Sequence, residues 1–258
     1  MPHKDSIRII SIGQTDSTNR FLREQAPPAD CFMTVVKAEY QTAGRGQGTN
    51  RWESEAGRNL LCSIRICPKG VPASRQYVLL QAAALAVRDA LAAYAGGFTV
   101  KWPNDIYFRD RKISGTLSEC TVSNGMVGSC IIGIGVNVNQ AAFTGGAPNP
   151  VSLCHITGHE TSTADILKAI IARLVPMLRE IDRGIYGPIA SRYLAALYRR
   201  TGMHPYRDAG GTFTAALETV GPDGHLVLRR ADGTLSRYAF KEVEFILPPS
   251  AEALPAEP

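Results

Sequence analysis

A chain of 258 residues has room for one substantial domain and a small appendage, and 45% hydrophobic with 20% charged residues reads as an ordinary globular protein that buries a core without crosslinks. The formal net charge of +5 is mild and its basic residues are spread along the chain, which argues against the dense basic stripe of a nucleic-acid binder and fits small anionic ligands or an acidic protein partner. Six cysteines form no C-x-x-C pair, no apolar run approaches the ~18 residues of a membrane helix, and MPHKDSIRII has no signal core; the cytoplasm is the expected location.

The first strand is expected at Ile7 to Ile12, and Asp16 or Ser17 is placed to cap a short helix that Pro27 and Pro28 end. FMTVVKAEY is rich in β-formers and reads as a strand. Residues 41–58, QTAGRGQGTNRWESEAGR, carry glycines and charges without apolar periodicity, and structureless loops of this length are functional or disordered. NLLCSIRIC is another strand. Residues 74–95 are rich in alanine and leucine and make the clearest helix, stopped by Gly96 and Gly97. TVKWPNDIYF, RKISGTLSEC and MVGSCIIGIGVNVN read as strands, and the cysteines in apolar runs such as LLCSIRIC and SCIIGIGV, Cys62, Cys67 and Cys130, read as buried free thiols. Residues 140–150 form a second glycine- and proline-rich loop, and helices follow at 163–183 and 187–200. From Met203, GTFTAALETV, HLVLRR, LSRYAF and EVEFIL alternate with PDG and ADG turns. The expected organisation is an α/β (α+β) domain over 1–202 with a mixed or antiparallel sheet and flanking helices, a small β-barrel over 203–248 and a disordered tail over 249–258.

Four segments carry groups suited to chemistry. Gly44 and Gly46 flank Arg45, where free backbone N–H groups and a guanidinium fork suit a carboxylate or phosphate; a solvated loop is the plain alternative, and the P-loop pattern is absent. KWPND at 101–105 and DRKISG at 110–115 bring Lys101, Asn104, Asp105 and Lys112 to adjoining strands, where Asp105 and Lys112 also make sense as a surface ion pair. In GIGVNVN at 133–139, glycines inside an apolar strand suit close approach of a ligand or simply tight β-packing. Ser17, Thr18 and Asn19 either cap a helix or offer hydroxyls and an amide to a polar head group.

The order S-T-N, YQTAGRG…W, KWPND, RK-x-x-G with Glu119 beyond, and GIGVNVN closely resembles the biotin protein ligase family, over residues from about 9 to 245. The resemblance implies a class II synthetase-like catalytic domain followed by a small barrel of the Src-homology-3 (SH3) type. It implies an ATP-dependent ligase that activates biotin as biotinyl-5'-adenylate and transfers it to a lysine of a biotin carboxyl carrier domain, that of acetyl-CoA carboxylase or a related carboxylase. ATP, Mg²⁺ and biotin are its implied small molecules, with no protein ligand assigned to the metal.

By the same resemblance, Ser17, Thr18, Asn19 and Gln41 bind the ureido head of biotin, with Gly44, Arg45, Gly46, Gln47 and Gly115 also against the acid. Trp52 with Gly115, Gly133 and Gly135 walls an apolar slot. Arg45 and Lys112 offset the repulsion between carboxylate and phosphate, Trp52, Asn104 and Asn137 join them at the nucleotide, and Asp105 orients or deprotonates the acceptor amine. Many relatives read GRGR where Gln47 stands here, and some have arginine where Asn50 stands, so retention of the adenylate is in question. Residues 41–52 and 140–150 are expected to close over the adenylate. The few residues before Ile7 leave no room for an N-terminal helix-turn-helix, so no DNA partner and no membrane partner are expected, and a monomer or a homodimer is expected. The nearest rival is a lipoate or octanoate ligase or transferase, the latter needing a nucleophile such as Cys120. A non-catalytic nucleic-acid-binding or regulatory module is the second rival.

Overall fold

The computed structural model describes residues 6–26, 32–46, 48, 50–144 and 149–248. Cys31, Pro27, Pro28, Gln47 and the tail over 249–258, with the expectations attached to them, lie outside the described residues. Two units divide between Tyr198 and Arg199.

The first unit is built on seven strands, β1 (Ile7–Thr15), β2 (Met33–Gln41), β3 (Leu60–Ile66), β4 (Phe98–Lys101), β5 (Asp105–Phe108), β6 (Arg111–Ser123) and β7 (Met126–Val136). They lie in the order β1-β2-β3-β7-β6-β5-β4. β1 and β2 run parallel, joined by a crossover that contains α1 (Thr18–Arg23), and every other neighbouring pair is antiparallel. The sheet is therefore mixed. Leu60–Ile66 is buried at every position, as a central strand covered on both faces must be.

Side chains alternate across β6 and β7. The Asn137 N–H donates to Ile113 O at 2.9 Å, which makes 113/137, 115/135, 117/133 and 119/131 the hydrogen-bonded pairs. One face carries Gly115, Glu119, Gly133 and Gly135, with α1 packed over β2, β3 and β7. The other carries Cys130, Ile132 and Ile134, all buried, against α2 (Tyr77–Leu91) and α4 (Thr163–Asp182). α2 starts later than its composition suggests, because Ala73–Arg75 form a separate 3-10 turn. Ser162 caps α4 by accepting from the Asp165 N–H at 3.2 Å. α5 (Gly187–Ala195) supplies Tyr193, whose hydroxyl donates to Pro103 O at 2.7 Å and so holds the KWPND turn. α3 (Leu153–Thr157) was not expected: five residues are too few to show a helical period.

The second unit is an antiparallel sheet of β8 (Met203–Asp208), β9 (Gly211–Val220), β10 (Leu226–Arg230), β11 (Leu235–Tyr238) and β12 (Glu244–Phe245), in the order β11-β10-β9-β8-β12. It stands where the sequence places the SH3-like appendage. β8 is an addition to the expected strands, since Pro205 disguises it. Pro205 O accepts from the Ile246 N–H, so the missing N–H of Pro205 faces the two-residue edge strand, where it costs little. Arg230 covers the Phe213 ring at 3.8 Å and donates to Asp208 and the Tyr238 hydroxyl. No described helix is long and apolar enough to cross a membrane.

Candidate active site

A polar cluster closes one end of the sheet face that carries the glycines. Thr18 donates twice to Gln41 Oε1, from its backbone N–H at 2.8 Å and its hydroxyl at 3.1 Å. The Ser63 hydroxyl lies 2.6 Å from both Thr18 Oγ1 and Asn19 Oδ1. Asn19 Nδ2 donates to Glu119 Oε2 at 2.9 Å. Ser17, Thr18, Asn19 and Ser63 are all buried. Ser17 holds the N-cap position of α1 without a side-chain cap bond; its backbone N–H goes to Asp16 Oδ1 at 2.6 Å. The hydroxyls and amide of this segment are thus turned into the molecule rather than spent on capping.

The floor beside the cluster is backbone. A Cβ on Gly133 would stand 2.5 Å from Asn19 Oδ1, and one on Gly135 would stand 2.4 Å from Trp52 Cε2. Both are closer than real side chains approach, so only glycine lets Asn19 and the indole lie flat on β7. The Trp52 ring also reaches over Gly115, and its Nε1 is buried without a hydrogen-bond partner among the described residues. The loop behind Trp52 folds back on itself: Gly46 N–H donates to Asn50 O at 2.8 Å and Trp52 N–H to Gly44 O at 3.0 Å.

Cations stand at two places. Lys112 Nζ lies 2.8 Å from Asp105 Oδ1 and 5.9 Å from the Trp52 ring centre. Arg45 instead reaches Glu119 Oε1 at 3.3 Å, and Arg23 reaches Glu119 Oε2 at 2.6 Å. An open cleft of about 750 Å³ runs along Gly44, Asn50, Trp52, Lys112, Asn137 and Gln140. Its size and polar lining suit a nucleotide.

The biotin/lipoate A/B protein ligase family model matches residues 11–137. A biotin--[acetyl-CoA-carboxylase] ligase of Paracoccus denitrificans is 31% identical over 229 residues, which cover 86% of this chain and 94% of that one. The chain belongs to the biotin/lipoate A/B protein ligase family. The bifunctional ligase/repressor BirA of Bacillus spizizenii is 32% identical over 213 residues; the match covers 80% of this chain but only 64% of that longer protein. A biotin protein ligase from Aquifex aeolicus, solved in complex with biotin and ATP, shares the fold with a TM-score of 0.76 at 24% identity, over 93% of this chain and 99% of that one.

On this ligase-family fold several of the residues singled out from sequence come together. Thr18, Asn19 and Gln41 form one network, with Ser17 buried beside it. Gly44, Trp52, Lys112 and Asn137 line the cleft. Asn104 does neither: its side-chain amide donates to Thr116 O and its backbone carbonyl accepts from the Thr116 N–H at 3.2 Å, pinning the KWPND turn to β6. The Asn137 amide similarly reaches Val151 O at 3.2 Å from the cleft wall. Ser63 was missed. Its signal was a lone hydroxyl in the apolar run LLCSIRI. Asn59 was missed too; it accepts from the Val138 N–H at 2.8 Å and donates to Gln140, holding GIGVNVN to the cleft rim. Cys120, the thiol the transferase reading needs, is paired with Cys130 on the face away from the glycine floor.

Proposed function

We propose that this chain is an ATP-dependent ligase that converts biotin to biotinyl-5'-adenylate and transfers the acyl group to a lysine of a biotin carboxyl carrier domain. The observation that carries the reading is the slot itself. An amide-and-hydroxyl cluster meets the cleft at Gln41, an indole laid flat on glycines walls it, and an ammonium and a guanidinium stand beside it. Biotin has the matching parts: a urea head that needs donors and acceptors together, an apolar body and an anionic tail.

In the first step a carboxylate oxygen of biotin attacks the α-phosphorus of ATP. A C–O–P bond forms, the bond between the α- and β-phosphates breaks, and pyrophosphate leaves. Two anions must meet, so Lys112 and Arg45 serve to offset the repulsion. In the second step the lysine amine of the carrier attacks the acyl carbon, AMP leaves, and the amine gives up a proton. Asp105 is the nearest carboxylate to Lys112 and serves to orient or accept from that amine. Mg²⁺ would share the charge of the ATP phosphates, and no protein ligand is assigned to it. The carboxylase of origin of the carrier domain is proposed as acetyl-CoA carboxylase or a relative, as for the Paracoccus protein.

The test is pyrophosphate release with ATP and Mg²⁺ in the presence of biotin, lipoate or octanoate. Release with biotin alone is expected. Release with lipoate or octanoate instead would reassign the slot within the same fold, and silence with every acid would overturn the reading.

A further inference from the structure

Glu119 sits on β6, on the same face as the glycine floor, and three donors from separate segments converge on its carboxylate. Arg23 at 2.6 Å and Asn19 at 2.9 Å reach Oε2. Arg45 reaches Oε1 at 3.3 Å. The two oxygens hold unlike partners. The Oε2 contacts are short, and one comes from the buried Asn19 amide. The Oε1 contact is longer, and the Arg45 side chain is 47% exposed, the kind of ion pair that stabilises little and exchanges readily.

The Asn19 amide is fixed from both ends. Nδ2 donates to Glu119, and Oδ1 lies 2.6 Å from the Ser63 hydroxyl. A flip would set the amide oxygen against a carboxylate. One carboxylate between two guanidiniums also leaves a surplus positive charge at Arg45, which favours a second anion there.

We propose that Glu119 is a positioning residue for the acid substrate: Oε2 fixes the Asn19 amide at the polar end of the slot, and Oε1 docks Arg45 until the substrate carboxylate draws it away. Glu119 touches no reacting atom in this scheme. The inference rests on the ligase reading above and adds the device that ties head-group recognition to the loop arginine.

The test uses the full chain with Glu119→Ala and Glu119→Gln, read by pyrophosphate release and by tryptic cleavage after Arg45 without biotin. Glu119→Ala is expected to raise the biotin KM about tenfold while the ATP KM stays within about twofold, as loss of one charged hydrogen-bond partner implies. Glu119→Gln keeps an oxygen for Asn19 and Arg23 but no charge. It is expected to return the biotin KM to within about threefold of the parent, yet to free Arg45 for faster cleavage, as Glu119→Ala does. A biotin KM unmoved by Glu119→Ala, equal shifts of both KM values, or cleavage at Arg45 unchanged in both variants would overturn the proposal. Absence of biotin-dependent release from the parent chain would sink the ligase reading instead, and the tryptic pattern would then judge the Arg45 docking by itself.

Discussion

Lys112 and Asp105 face each other at 2.8 Å beside Gly115, on neighbouring strands whose register shifts between Ile106 and Tyr107. Lys112 Nζ stands 5.9 Å from the centre of the Trp52 ring, on the face that carries the indole. Lys112→Ala is expected to slow biotin adenylation about 10²–10³-fold, the scale for loss of one preorganised charge at a phosphoryl-transfer site. The pair is partly exposed, so the melting temperature should hardly move. Single-turnover pyrophosphate release beside a thermal melt checks both. An unchanged rate would remove Lys112 from the chemistry.

Gly133→Ala should injure binding more than folding. The new methyl would push Asn19 Oδ1 from 2.5 Å, and Asn19 is anchored to Ser63 and Glu119. Overpacking costs about 1–3 kcal/mol. A rise of the biotin KM by about tenfold, at an ATP KM close to the parent value, is expected from equal-temperature kinetics. Gly135→Ala should instead displace the indole, since its methyl meets Trp52, and quench or shift the tryptophan emission.

Ser63→Ala removes the hydroxyl that lies between Thr18 and Asn19. About 1–3 kcal/mol is at stake for the buried acceptor left alone. The measurable outcome is weaker biotin binding by calorimetry with the fold retained. Affinity equal to the parent would show that Asn19 needs Glu119 only.

A pH effect follows from Cys62 on β3. Burial pushes its thiol from 9.0 up to about 12. The folded state therefore keeps a proton that the unfolded chain releases above about pH 9, so this group adds stability below that point and withdraws it as pH climbs towards 12. Chemical denaturation across pH 8 to 11 should show stability falling, with part of the fall absent in Cys62→Ala. A slope identical in that variant would assign the effect to other groups.

The sheet was legible where strands announced themselves by β-branched residues, as in β2 and β7, and the motif order singled out Thr18, Asn19 and Gln41, which share one hydrogen-bonded network. What stayed hidden was relational. Ser63 looks like an interruption of a buried strand until Asn19 is seen across from it. The Asn104 amide reaches Thr116 O on β6, a partner that the run KWPND does not announce. Arg45 invites the assumption of a phosphate partner, whereas the structure docks it on Glu119, 74 positions away in sequence. Pro205 concealed β8 because its compatibility with an edge depends on which neighbour lies beside it. Long-range pairing decides each of these cases, and local pattern carries no information about it.

Where side chains lie flat on backbone, substitution beneath them can lift them but never lower them. Gly133 and Gly135 already carry the smallest side chain there is, so no replacement at either position gives Asn19 or the indole more room. Any redesign towards larger biotin analogues has to work from Trp52 itself, which lines the cleft from a loop and whose indole offers volume to give away.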